Sequence, residues 1–362
     1  MPAALRSRER TTPRTLTAER ILDGSGGATA SPAWITVADG RIVAVGTGTP
    51  PGPAAGHVPG LLAPALVDIQ VNGHGDCDFA TSPTDAIVAA ADDLAARGVG
   101  AILVTICSAP LTEYPAILAR VAAARAARPG IIVGVHLEGP FLGGAPGAHP
   151  PEVVRSVDRA FVDAICRDHA DLVRLVTLAP EADPGHDAIR AFTGVGIRVA
   201  LGHTTAGSAE SLAAVGAGAT LATHLFNGMT PLHHREPGLV GVALTDARIV
   251  PTLISDLVHV HPTVVGLALA ARPDAVVVSD AVRRGAERLP DGTLAGSAID
   301  LSGALTRILA LGLPPARAVR HVTGNPAHAL GLPDRGRLVP GARADLVAID
   351  PLTAAVSPVH PG

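Results

Sequence analysis

Runs of Val, Ile, Leu and Ala with almost no polar alternation recur along the chain, separated by stretches whose apolar positions follow helical spacing. Eight such runs stand out, at 62–71, 101–107, 131–138, 172–178, 197–203, 219–226, 249–255 and 275–280. A strand that is apolar on both sides of its period is buried on both faces. Strands of that kind alternating with helices indicate βα units and a parallel sheet. Eight units predict an α/β fold of the (β/α)8, TIM-like barrel type, spanning 62–335.

The helical stretches carry their own punctuation. Ser82-Pro83-Thr84-Asp85 reads as a cap, a proline at the first helical position and a capping-box acid, and Gly98 supplies the stop. Segments 156–169 and 208–215 show similar amphipathic spacing.

The two ends of the chain follow a different pattern. Residues 34–46 read as short strands joined by an Asp39-Gly40 hairpin turn, and 336–350 read the same way. The two pieces, 15–61 and 336–362, are expected to pair into one small satellite β-sandwich domain. Residues 47–60, rich in Pro and Gly, form the loop into the barrel. Residues 1–14 are expected to be a disordered tail, Arg-rich and without the apolar stretch of a secretory signal.

Composition narrows the function classes. With 362 residues, 48% hydrophobic and 17% charged, the chain can bury a large core and is too apolar for disorder. Aromatics are only 2%, so that core must be Ala, Val, Leu and Ile. A net charge of -4 with scattered Arg gives no basic stripe for nucleic acid. No apolar run reaches the roughly 18 to 20 residues of a membrane span. Three cysteines without CxxC spacing, Cys77, Cys107 and Cys166, point to a reducing cytoplasm rather than a disulfide or Cys-zinc framework. All 28 basic residues are Arg. The absence of lysine excludes Schiff-base chemistry, a Walker P-loop and a metal pair bridged by a modified lysine.

Titratable side chains gather where a barrel places its active site, at the carboxyl ends of the strands. Gln70 and Asn72 follow the first run, Glu138 the third, His203 the fifth, His224 the sixth, Asp256 and His259 the seventh, and Asp280 the eighth. Taken singly, Glu138 could be a strand end in water, and either histidine a hydrogen-bonded core residue. Together at three strand ends, Glu138, His203 and His224 form a metal-ligand set. Oxygen and nitrogen donors without thiolate suit Zn²⁺ or Fe²⁺ with a position left open for water. Asp280 would be the general base that takes the proton of that water and passes it to the leaving amine. Its alternative reading is a helix N-cap.

These motifs resemble the amidohydrolase superfamily, and within it the N-acetylglucosamine-6-phosphate deacetylases. The resemblance covers nearly the whole chain: Val67 to Gly73, His136 to Phe141, Gly147 to Pro150, Leu178 to Glu181, Gly202 to Thr204, Ala222 to Met229, Arg235 to Gly238, Ser279 to Ala281 and Gly292 to Ser297. It implies hydrolysis of the acetamide of N-acetylglucosamine 6-phosphate in a cytoplasmic homodimer. Glu138, His203 and His224 would hold one divalent metal, with Zn²⁺ placed first, and Asp280 would be the acid/base. Gln70 and Asn72 stand where binuclear members carry His-x-His, which implies the single-metal branch.

The resemblance also implies substrate contacts from His149, Asn227, Arg235 and His259, some of them across a dimer interface, and Gln70 and Asn72 are expected to line the substrate site with them. Read without it, Arg235 could simply pair with Glu236. The loop 142–146 lacks the basic pair usual in the family, and Arg283-Arg284 replace small residues in a shortened segment after Asp280. Two rivals stay open: a deacetylase of another N-acetylated amino sugar, and a non-catalytic sugar-phosphate sensor. A binuclear cyclic amidase is disfavoured by Gln70, Asn72 and the missing lysine.

Overall fold

The computed structural model describes residues 12–360. Eight parallel strands form one sheet in chain order: Leu66–Val71, Val99–Ile106, Ile132–Glu138, Val173–Leu178, Arg198–Leu201, Leu221–Ala222, Val250–Ile254 and Val276–Val278. The last strand closes onto the first. Asp280 N donates to Gln70 O at 2.9 Å, and Asn72 N donates to Ala281 O at 2.7 Å. The result is a (β/α)8 barrel, as the alternation of apolar runs predicts.

Two apolar layers hold it. Outward-facing Val104, Val135, Leu137, Val176, Val199 and Val277 pack beneath the surrounding helices. Inside the barrel, Val67, Ile69, Leu103, Leu175, Ala200, Leu221 and Val276 fill the lower part. Ala327 and Leu330, from the helix Gly324–Ala329 and its C-cap, close that end from below. Branched side chains fill this interior as barrel interiors are generally filled.

The satellite is a single mixed sheet rather than a sandwich. Its six strands run in the order Val356–Val359, Leu346–Ile349, Gly56–Pro64, Arg14–Ile21, Ala33–Ala38 and Arg41–Thr47. Its apolar face, including Leu16, Ala18, Ile35, Val37 and Leu62, is covered by Leu338, Ala342 and Ala344 from connecting segments instead of a second sheet. The Asp39-Gly40 hairpin forms as its sequence requires. Asp39 and Gly40 have φ of 52° and 69°, the two positive angles of a type I′ turn.

Several boundaries differ from the sequence pattern. The apolar run 62–71 breaks at Ala65: its first part belongs to the strand Gly56–Pro64 of the satellite, and the barrel begins at Leu66. Hydrophobicity cannot mark that break, because both sheets bury these residues. The segment expected as a loop at 47–60 therefore ends in a strand. The C-terminal hairpin is 346–359, later than 336–350. The helix after Ser82 starts at Thr84, and Ser82 Oγ accepts from Asp78 N at 3.0 Å instead of capping it. Gly98, at φ 87°, ends that helix as expected. The segment at 156–169 narrows to Arg159–Asp168, capped by Asp158, which accepts from Phe161 N at 3.0 Å. Of the tail expected at 1–14, residues 1–11 lie outside the described residues, and Arg14 opens the first strand. No helix among the described residues is long and apolar enough to cross a membrane.

Candidate active site at the carboxyl end of the barrel

Glu138 ends the third strand with its side chain in the barrel mouth, 2% exposed. Its Oε1 lies 3.1 Å from His203 Nε2 and 3.0 Å from His224 Nε2, and the two imidazole nitrogens are 3.1 Å apart. Three donor atoms that close share one focus. His203 Nδ1 lies 3.2 Å from the Ala145 carbonyl. A carbonyl only accepts, so Nδ1 carries the proton and Nε2 turns its lone pair to that focus. His224 Nδ1 is buried without a partner. This cluster of one carboxylate and two imidazoles is a candidate metal-binding site, and its donor set fits a divalent cation of the zinc or iron type.

The backbone at these residues explains why the strands stop short of the sequence pattern. His203, His224 and Asp280 all have positive φ, at 50°, 27° and 49°. Each of these three strands ends two residues before such a position, at Leu201, Ala222 and Val278. Non-glycine residues in this region cost of order 1–3 kcal/mol and persist only where the surrounding packing holds them. No hydrophobic pattern reports a φ angle.

Asp280 sits across the mouth, 8% exposed. Its Oδ1 accepts from Asn72 Nδ2 at 2.8 Å and from Gln70 Nε2 at 3.2 Å. Gln70 Nε2 also donates to Glu138 Oε1 at 2.9 Å, so one amide bridges the two carboxylates. Burial first, and the Glu138 charge second, push the Asp280 carboxyl up to about 7. Glu138 moves the other way. Burial opposes its charge, but hydrogen bonds to His203 and His224 outweigh it and hold the carboxyl well below its usual range. The N-cap alternative for Asp280 does not apply, since no helix starts there.

A cavity of about 420 Å³ opens above these groups. His149, Asn227, His259 and Asn72 line it together with Glu138, His203, His224 and Asp280. His149 Nδ1 lies 2.8 Å from Ser108 Oγ and accepts from Ser108 N at 3.2 Å, which places its proton on Nε2. Burial, then the neighbouring His203, push the His149 imidazole down to about 3, so it stays neutral. His259 Nδ1 is paired with Asp256 Oδ2 at 2.7 Å. Asn227 Nδ2 donates to the backbone carbonyls of His224 and Leu225 at 3.2 and 3.3 Å, leaving its oxygen for the cavity.

Arg235 is placed apart from the others. It is exposed on the turn before the helix Gly238–Thr245 and is not among the cavity's lining residues. Its neighbour Glu236 accepts from Ser208 N and Oγ, both at 2.7 Å, so the alternative ion pair between Arg235 and Glu236 is not formed.

Two contributors were not singled out from the sequence. Ser108 orients His149, and Cys107 Sγ sits 3.3 Å from Asn72 Oδ1 and 3.8 Å from Glu138 Oε2. Cys107 and Ser108 directly follow the second strand, and the position at a strand end was the available signal.

The amidohydrolase family model matches residues 61–360. The chain belongs to the amidohydrolase family. This amidohydrolase is 37% identical over 315 residues to the N-acetylgalactosamine-6-phosphate deacetylase of Escherichia coli O157:H7, covering 80% of this chain and 84% of that one. It is 35% identical over 327 residues to the human N-acetylglucosamine-6-phosphate deacetylase, with 80% of each chain covered. Among solved structures, a variant of the Mycobacterium smegmatis N-acetyl-D-glucosamine-6-phosphate deacetylase in complex with N-acetyl-D-glucosamine-6-phosphate superposes with a TM-score of 0.89 at 31% identity. That match covers 97% of this chain and 99% of the other.

Proposed function

We propose that this amidohydrolase hydrolyses the acetamide of N-acetylglucosamine 6-phosphate, releasing glucosamine 6-phosphate and acetate. The observation that carries the reading is the convergence of Glu138, His203 and His224 on one point, with Asp280 facing the same cavity. The resemblance to deacetylases of 6-phosphorylated amino sugars supplies the substrate class.

Glu138, His203 and His224 would hold one divalent cation, Zn²⁺ before Fe²⁺. When bound, that cation supplies Lewis acidity, lowering the pKa of water and polarising the amide carbonyl. Asp280 does the proton transfer. Asn72 and Gln70 both bind its Oδ1, which leaves Oδ2 to take the proton of the attacking water and return it to the departing amine nitrogen. A carboxyl raised towards neutrality is suited to both steps. Neutral His149, its proton fixed on Nε2 by Ser108, donates to the carbonyl or a sugar oxygen and orients the acetamide.

His259, held by Asp256, offers its second ring nitrogen to the phosphate or a ring hydroxyl, and Asn227 offers its side-chain oxygen. Arg235 lies outside the cavity wall, so we assign its planar fork to phosphate through a homodimer, where it serves the neighbouring subunit's cavity. Cys77, Cys107 and Cys166 are all free thiols, in keeping with a cytoplasmic enzyme.

A second reading, deacetylation of N-acetylgalactosamine 6-phosphate, is favoured by the 37% identity to the E. coli relative. Acetate release from the zinc-loaded protein decides between them, with kcat/KM compared for both 6-phosphates and for the unphosphorylated sugars. Release from neither phosphate, with Asp280→Asn equal to the unmodified protein, overturns the assignment.

A further inference from the structure

Glu181 follows the fourth strand in a short 3-10 turn, Pro180–Ala182, and touches neither the cavity nor the ligand cluster. Its carboxylate nevertheless joins two loops that flank His203. Oε1 accepts from Gly144 N at 3.2 Å, on the loop after the third strand. The same oxygen accepts from Thr205 N at 2.7 Å and Thr205 Oγ1 at 3.3 Å, two residues beyond His203. Oε2 accepts from Thr204 Oγ1, the hydroxyl next to His203 in sequence. Thr204 Oγ1 in turn accepts from Ala206 N at 2.9 Å.

The loop so held makes the two contacts that orient the imidazole. Gly143 N donates to the His203 carbonyl at 2.8 Å, and Ala145 O accepts from His203 Nδ1 at 3.2 Å. The same loop leads directly into His149. The two glycines are required by this arrangement: a Cβ at Gly143 would lie 2.0 Å from Glu181 Oε1, and one at Gly144 would lie 2.6 Å from Thr205 Oγ1. His203 also holds a positive φ, which makes its orientation depend on neighbours rather than on its own strand.

We infer that Glu181 is a positioning residue: it ties the diglycine loop to the turn after His203, fixing the ring orientation and the proton position that leave Nε2 free for a cation. This rests on reading Glu138, His203 and His224 as metal ligands. Groups that orient a ligating histidine through its other nitrogen typically set metal affinity by 10–100-fold.

The test is zinc affinity, measured by chelator competition on metal-free protein with no substrate present. Glu181→Ala weakens zinc binding by about 10- to 100-fold, while Glu181→Gln, which keeps an accepting oxygen, recovers most of it. The absorption spectrum of the cobalt(II)-loaded protein shifts in the Ala variant and not in the Gln variant. A purely structural role would instead lower the unfolding midpoint of the metal-free protein and leave its zinc affinity unchanged. If Glu181→Ala does not fold, Gly143→Ala, which displaces the same carboxylate, must weaken zinc binding in the same direction. Wild-type zinc affinity in the folded Ala variant, or in Gly143→Ala, overturns the inference. Failure of the unmodified protein to bind zinc at all sinks the functional reading instead.

Discussion

The two ends of the barrel are built from the same eight strands and differ almost completely in character. At the amino-terminal end, Leu103, Ala200, Leu221 and Val276 meet across the lumen and Leu330 stops it from below. At the carboxyl end, Glu138, His203, His224 and Asp280 are crowded within hydrogen-bonding range of one another or of shared amides. The apolar side chains of the first end lose water at no electrostatic cost. The second holds four buried titratable groups, each hydrogen-bonded, with Glu138 keeping its charge through the two imidazoles and Asp280 pushed towards its neutral form. Stability and chemistry are therefore separable along the barrel axis.

The largest expected effect breaks the upper end. Asp280→Asn keeps the shape and removes the proposed proton acceptor, and kcat should fall by about 10²–10⁴-fold with zinc content unchanged by elemental analysis. Stripping the metal with a chelator should abolish acetate release and lower the unfolding midpoint, both restored by zinc. His224→Ala should leave nothing for zinc to restore.

The lower end should respond in the opposite way. Leu103→Ala, fully buried in the lumen, should lower stability by about 2–5 kcal/mol in denaturant titration. The KM for the 6-phosphate substrate should stay within twofold. A change in KM as large as the loss of stability would mean that the two ends are coupled after all.

Acidity distinguishes the two levels more finely. If Asp280 is the proposed proton acceptor, kcat/KM should fall as pH drops through its pKa, which burial and the Glu138 charge raise from 3.8 to about 7. Asp68, one layer deeper in the first strand, accepts from the amides of Gln70 and Ser279 at 3.3 Å each. Burial pushes it from 3.8 to about 7, against those hydrogen bonds. Between those values the folded chain keeps the proton that the unfolded chain releases. Its contribution to stability is therefore lost as pH rises through that window, by a few kcal/mol. Asp68→Asn should flatten that slope in thermal unfolding measured from pH 4 to 7. The smallest effect belongs to the surface. Arg97→Ala, which breaks an exposed pair with Asp93 and a long 3.5 Å contact with the more buried Asp300, should cost less than about 1 kcal/mol and leave kcat/KM unchanged.

Much of this contrast could be read before any coordinates. Runs such as 131–138 and 275–280 are too apolar for a half-exposed strand, and their number implies a barrel. Glu138, His203 and His224 stand out because each ends such a run. The break at Ala65 was not legible, because a residue buried between two sheets looks the same as one buried within either. Ser108 and the Ala145 carbonyl were missed for another reason. A backbone oxygen has no residue type, and a serine after a strand is common.

What the sequence determined by itself is the order of the layers and the chemical kind of each strand end, because hydrophobicity and donor chemistry follow residue type. Only the tertiary structure decided that His203 and His224, from neighbouring strands, face Glu138 at 3.1 and 3.0 Å. Only the fold placed Asn72 and Gln70 on Asp280, more than 200 residues away in the chain. Distances between ends of separate strands depend on how the barrel closes and on positive φ angles at its rim, and neither is a property of any local stretch of sequence.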